Sequence, residues 1–276
     1  MATPPIPRRE SVTMPVTPPV LLRVGHLSKS FGGLRAVMDV SFSVARGSIT
    51  GLIGPNGSGK TVTFDCITGF YRPDGGRVVL EERDLTALRP NEIARAGITR
   101  SFQIPGVFGR LTVWENLVFA AQDKRLARAV VSHLASADAT RRATRERLEQ
   151  ALAVTGLADM RDQPVARLSY GQQKMVELGG LMVMTPDPVL YMLDEPFAGL
   201  AQADIEQYLA LLQELRGRGK TFLIVEHNMR VMMNLCHTII ALDHGEKIAE
   251  GTAAEVQQNA RVIEAYLGHA GTARRH

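Results

Sequence analysis

The chain has 276 residues, 45% hydrophobic and 22% charged, with a formal net charge of +4. Those values fit a soluble globular protein of one large domain or two lobes, long enough to bury a full core. No run of about 18 uncharged apolar residues is present, which excludes a spanning helix, and the first residues lack the apolar segment of a signal peptide.

Six of the 14 prolines fall within residues 1–20, so that stretch reads as a disordered tail. Residues 21–50 look like strands, because Val40, Phe42 and Val44 alternate with Ser41 and Ser43 in a half-buried antiparallel pattern. Ile49, Leu52 and Ile53 read as a buried strand, and Val62, Phe64 and Ile67 as a helix after it. Pro73-Asp74-Gly75-Gly76 predicts a turn and Arg77–Leu80 a strand. Thr112 and Glu115 have the spacing of a capping box, opening a helix through Val118. Arg125 to Leu157 is charged and helical in period, so residues 90–180 read as a mostly helical lobe.

Short apolar strands then return at Val189–Leu193, Thr221–Val225 and Thr238–Leu242, with a helix from Asp204 to Arg216 between the first two. Strands alternating with helices imply a mainly parallel sheet, hence an α/β protein. Thr252 and Glu255 form another capping box. Cys66 and Cys236 lack metal-ligand spacing; they fit a reducing compartment and read as small buried residues. Basic residues gather from Lys124 to Arg147 and at Arg274-Arg275. They read as solvated faces and a frayed tail, with anionic lipid or nucleic acid as the alternative. No interleaved aromatics suggest stacking on bases, so no nucleic-acid partner is expected.

Gly54-Pro55-Asn56-Gly57-Ser58-Gly59-Lys60-Thr61 fits the phosphate-cradling pattern G-x-x-x-x-G-K-[ST]. A glycine loop between strand and helix wraps backbone N–H groups around a polyphosphate, and the helix N-terminus adds positive potential. Lys60 would meet the β- and γ-phosphates, and Thr61 would place its hydroxyl on Mg²⁺. A glycine-rich turn with a chance lysine is the competing reading; strand, loop and helix in the required order argue against it.

Asp194-Glu195 ends an apolar run, at the edge where parallel sheets bind ligands. One carboxylate there suits Mg²⁺ and the other suits a general base. Ser169 and Gln172, in Leu168-Ser169-Tyr170-Gly171-Gln172-Gln173-Lys174, have capping-box spacing, and the helix they open offers N–H groups and a dipole to a phosphate. Alone, each would pass as an acidic turn or an ordinary cap.

Together these motifs resemble the ATP-binding cassette (ABC) ATPases, over about residues 21–268. Gly54–Thr61 is similar to their Walker A motif and Asp194-Glu195 to the end of Walker B. Ser169, Gly171 and Gln172 match their L-S-G-G-Q signature, with Tyr170 in place of the first glycine. Gln103 matches the Q-loop, His227 the switch histidine, and Phe31 the aromatic stacked on adenine. Ala198-Gly199-Leu200-Ala201 departs from the family's S-A-L-D loop, and Ala201-Gln202 stands where near relatives have Asn-Pro.

The resemblance implies a P-loop cassette with a mainly parallel core sheet, an antiparallel β subdomain, a helical signature subdomain at about 90–180, and tails at 1–20 and 269–276. It implies phosphate contacts from Lys60 and the loop amides. Thr61, Gln103 and Asp194 would serve Mg²⁺, Glu195 would be the base, and His227 would contact the γ-phosphate. Ser169 and Gly171 would reach ATP held by a second cassette, whether identical or different.

Thr68–Pro73, Leu111–Leu117, Asp194–Leu200 and Val262–Gly268 are similar to stretches of branched-chain amino-acid importer ATPases. That implies two permease subunits, indirect service to a periplasmic binding protein, and a peripheral place on the cytoplasmic face of the inner membrane. Ile104, Pro105, Val107 and Phe108 would line the permease groove; a hydrophobic loop packed on its own lobe is the alternative. Urea or amide uptake, lipopolysaccharide export and a non-transport clamp are the alternative functions.

Overall fold

The computed structural model describes residues 19–101, 106–121 and 136–272. Strands β1 (Val20–Phe31), β2 (Leu34–Ala45), β4 (Gly75–Leu80) and β5 (Arg83–Asp84) form an antiparallel sheet in the order β2-β1-β4-β5. Strands β3 (Ile49–Ile53), β6 (Ile98–Arg100), β7 (Leu190–Asp194), β8 (Thr221–Val225), β9 (Thr238–Asp243) and β10 (Glu246–Gly251) form the other. Its order is β10-β9-β3-β8-β7-β6, parallel throughout except for the β9–β10 pair.

The helices are α1 (Lys60–Ile67), α2 (Pro90–Arg95), α3 (Val113–Ala121), α4 (Ser136–Val154), α5 (Tyr170–Met182), α6 (Gln202–Gly217), α7 (Met229–Leu235), α8 (Ala253–Gln258) and α9 (Ala260–Thr272). Among the described residues, no helix is long and apolar enough to cross a membrane.

Every residue of β3, β7 and β8 is buried, because layers cover both faces of the larger sheet. Alternation along β7 assigns the faces. Leu190 and Met192 pack with Leu22, Val40 and Phe64, which places α1 against the antiparallel sheet. Tyr191 and Leu193 pack with Leu117, Leu152 and Leu212 from the helices opposite. Each such side chain contributes about 1.5–3 kcal/mol on burial.

All three capping boxes form. The side chains of Glu115, Gln172 and Glu255 accept from the backbone N–H of Thr112 (2.8 Å), Ser169 (2.9 Å) and Thr252 (2.7 Å). Val40, Phe42 and Val44 are buried on β2, as their alternation predicts. Elsewhere the boundaries differ. Gly75 and Gly76 open β4 instead of ending a turn, because the Asp74 carboxylate accepts from Lys29 Nζ (2.9 Å) and the Ser30 N–H (2.7 Å) and so draws the chain against β1 early. β6 lies inside the stretch read as mostly helical, and it pairs with β7 in the larger sheet. The helix expected from Arg125 to Leu157 is described from Ser136 and ends at Val154.

Candidate functional site

The loop between β3 and α1 is shaped by contacts that a larger residue would block. Gly59 precedes α1 with φ +99, and a Cβ there would stand 2.5 Å from the Ala36 carbonyl oxygen of β2. Only glycine combines that left-handed backbone with so close an approach. The α1 N-terminus lacks the side-chain cap that α5 and α8 have, and it has no acidic residue in its first turn, whereas α8 has Glu255; α1 is thereby left suited to an anion. Lys60 is buried, and its Nζ donates to the carbonyls of Gly54 (2.7 Å) and Pro55 (2.8 Å). Burial pushes its pKa down, while the charges of Glu195 and Asp194 pull it back up.

Across from the loop stand Glu195 and His227, with Glu195 Oε1 at 2.5 Å from His227 Nε2. Glu195 takes a left-handed φ of +48, uncommon for a residue with a side chain. Its N–H still donates to the Val225 carbonyl (2.8 Å), so the end of β7 stays tied to the end of β8. Glu226 fastens the two loops. Its buried carboxylate accepts from the N–H groups of Phe197 (2.9 Å), His227 (2.7 Å) and Asn228 (3.0 Å). Asn56, Gly57, Ser58, Gly59, Lys60 and Thr61 face Glu195 and His227 across one cavity of about 350 Å³, with Leu34, Arg35, Ala36, Val62 and His244 completing the wall.

Asp194 lies behind that cavity. Burial raises its pKa, and Arg100, whose guanidinium meets Oδ2 at 2.9 Å, pulls it back down. Its backbone N–H donates to Ser101 Oγ (3.1 Å). A carboxylate in Asp194 and a hydroxyl in Thr61 are hard oxygen donors that fit Mg²⁺. Among the described residues no group of three or more His, Cys, Asp or Glu forms a metal cage.

The remaining expected residues fall elsewhere. Gln103, Ile104 and Pro105 lie outside the described residues. Phe31 is not part of the cavity wall; it is exposed and packs edge-on to Tyr71, ring centroids 4.9 Å apart. Ser169 and Gln172 cap α5, away from the wall. Tyr170, the departure from the signature pattern, covers Gly199 of the loop after Glu195. A Cβ on Gly199 would meet the Tyr170 ring at 3.3 Å.

A second cavity, of about 360 Å³, is lined by Val107, Phe108, Asn116, Phe119, Leu181 and Met184 together with Arg100 and Glu177. Phe108 and Phe119 stack edge-to-face at 4.7 Å. Sequence reasoning missed Arg100, Glu226, Arg35 and His244. Only Glu226, beside a motif histidine, had a local signal.

Residues 37–198 match the ABC transporter family, and residues 246–272 match the branched-chain amino acid ATP-binding cassette transporter model. The chain is 41% identical to the high-affinity branched-chain amino acid transport ATP-binding protein LivG of Salmonella typhimurium, over 91% of this chain and 98% of that one. It is 37% identical to BraF of Pseudomonas aeruginosa over 91% and 98%, and 36% identical to the lipopolysaccharide export ATP-binding protein LptB of Acidithiobacillus ferridurans over 90% and 97%. The crystal structure of MJ1267, an ATP-binding cassette of an ABC transporter in its ADP conformation, superposes with a TM-score of 0.77 at 32% identity, covering 90% of this chain and 99% of that one. The chain belongs to the ABC transporter family and is one of its ATP-binding cassette ATPases, similar to those of branched-chain amino acid transport.

Proposed function

We propose that this cassette powers an importer for branched-chain or other amino acids. ATP binding and hydrolysis on this chain would drive transport through two separate permease subunits at the cytoplasmic face of the inner membrane. A second cassette would complete the pair, and a periplasmic binding protein would deliver the solute. Residues 21–268 would form the cassette, with its helical signature part at about residues 90–180. The match at residues 246–272 favours amino-acid import over lipopolysaccharide export.

One observation carries the chemistry: the Lys60–Thr61 loop and the Glu195–His227 pair face each other across a single cavity. Polyphosphate would lie on the loop amides and the α1 N-terminus. Lys60 already points its ammonium at loop carbonyls and would exchange those acceptors for phosphate oxygens. Thr61, Asp194 and Gln103 would hold Mg²⁺, directly or through water. When bound, that ion neutralises developing phosphate charge. Glu195 would take a proton from the attacking water, and His227, held against it, would orient that carboxylate and meet the γ-phosphate. Phe31 would face adenine beside Tyr71. Ser169, Gly171 and Gln172 would present the α5 N-terminus to ATP on the second cassette.

The cavity lined by Val107, Phe108 and Phe119 suits an apolar permease segment, because its aromatic walls stand exposed. Solute uptake in cells lacking this chain tests the function. Restoration by the parent chain and not by Glu195→Gln is expected; equal restoration by both would reject it.

A further inference from the structure

Arg100 links the wall of the apolar cavity to Asp194 at the end of β7. It lines the apolar cavity beside Val107 and Phe108, and its guanidinium reaches back toward the nucleotide site. Nη2 meets Asp194 Oδ2 at 2.9 Å, and Nη1 meets Asp65 Oδ1 of α1 at 2.5 Å. The guanidinium also lies over the rings of Phe64 (5.5 Å) and Phe70 (5.7 Å). Its side chain is only 8% exposed. A buried guanidinium held by two carboxylates and two rings has one orientation.

We infer that Arg100 is a positioning residue: it locks one oxygen of Asp194, fixes that carboxylate for Mg²⁺, and ties its placement to the wall of the apolar cavity. The inference rests on the reading of Asp194 as the Mg²⁺ carboxylate. Asp194 is held at its backbone by Ser101 and at Oδ2 by Arg100, and in this reading its Oδ1 would serve Mg²⁺. Because Arg100 is part of the apolar cavity's wall, a segment seated there would press on the residue that holds Asp194. Removing a partner that orients a metal ligand typically weakens the metal by about 10–100-fold. A lysine keeps the charge and cannot span both carboxylates as the planar fork does.

The test is a Mg²⁺ titration of fluorescent ATP-analogue binding to the full chain, with a parallel series in EDTA. Arg100→Gln should raise the half-saturating Mg²⁺ by about tenfold or more and leave Mg²⁺-free affinity within about twofold. Arg100→Lys, which retains the charge in the core, should fall between Arg100→Gln and the parent. An Arg100→Gln chain whose Mg²⁺ requirement is unchanged, or whose affinity drops equally with and without Mg²⁺, overturns the inference. Asp194→Asn separates the two failures. If it raises the Mg²⁺ requirement and Arg100→Gln does not, Arg100 alone is rejected. If it has no effect either, the Asp194 reading falls, and Arg100 with it.

Discussion

Glu195 Oε1 and His227 Nε2 lie 2.5 Å apart, each carried just beyond the end of its own strand, β7 or β8, in adjacent positions of the sheet. The pairing is fixed from behind, because the Glu226 carboxylate binds backbone N–H groups on both loops. Glu195→Gln should therefore keep the fold and nucleotide binding and lose turnover by about 10²-fold or more, the usual cost of losing a general base. Steady-state phosphate release on the assembled transporter, alongside nucleotide binding, reads both effects.

Lys60 should dominate affinity. Its ammonium is buried against two loop carbonyls, and hydrogen bonds to a charged group contribute about 1.5–3 kcal/mol each. Lys60→Ala should weaken ATP binding on the order of 100-fold or more. Calorimetric titration showing parent affinity would reject the phosphate-loop assignment.

Gly59 should tolerate no side chain. Alanine there adds about 1–2 kcal/mol of left-handed backbone strain and drives a methyl to 2.5 Å from the Ala36 oxygen. Gly59→Ala should lower the melting temperature by several degrees and impair nucleotide binding. Thermal unfolding with and without ATP checks both.

The cap of α8 gives a pH signature. Hydrogen bonds from the Thr252 N–H and hydroxyl hold the Glu255 carboxyl below its ordinary pKa of 4.5. A carboxylate depressed in the folded state adds stability above its unfolded pKa, and that stability disappears as pH falls through the folded value. Glu255→Gln should therefore lower stability near neutrality and flatten the acid side of the stability–pH curve. Thr252→Ala should cost about 1 kcal/mol. Denaturant melts between pH 3 and 7 measure both, and an unchanged acid limb in Glu255→Gln would contradict the assignment.

The parts legible in the sequence were those whose cause is local. A capping box lies within four residues, so those at Thr112, Ser169 and Thr252 could be read directly, and the glycines and lysine of Gly54–Thr61 lie in one short run. The parallel strands showed as apolar runs because both their faces are covered. β6 has three residues, too few for a period, and its pairing with β7 depends on chain about ninety positions away. Arg100 joins Asp65 and Asp194 across separations of 35 and 94 residues, and no spacing rule encodes such a bridge. The Tyr170–Gly199 contact likewise arises only when α5 and the loop after β7 come together.

Transport coupling is tested most directly by recovering the tagged full chain, carrying Glu195→Gln and with ATP present, from its native membranes and identifying its companions by mass spectrometry. Two permease subunits and a second cassette are the predicted companions. Recovery of ribosomes or DNA, or of no membrane protein at all, would contradict the importer assignment.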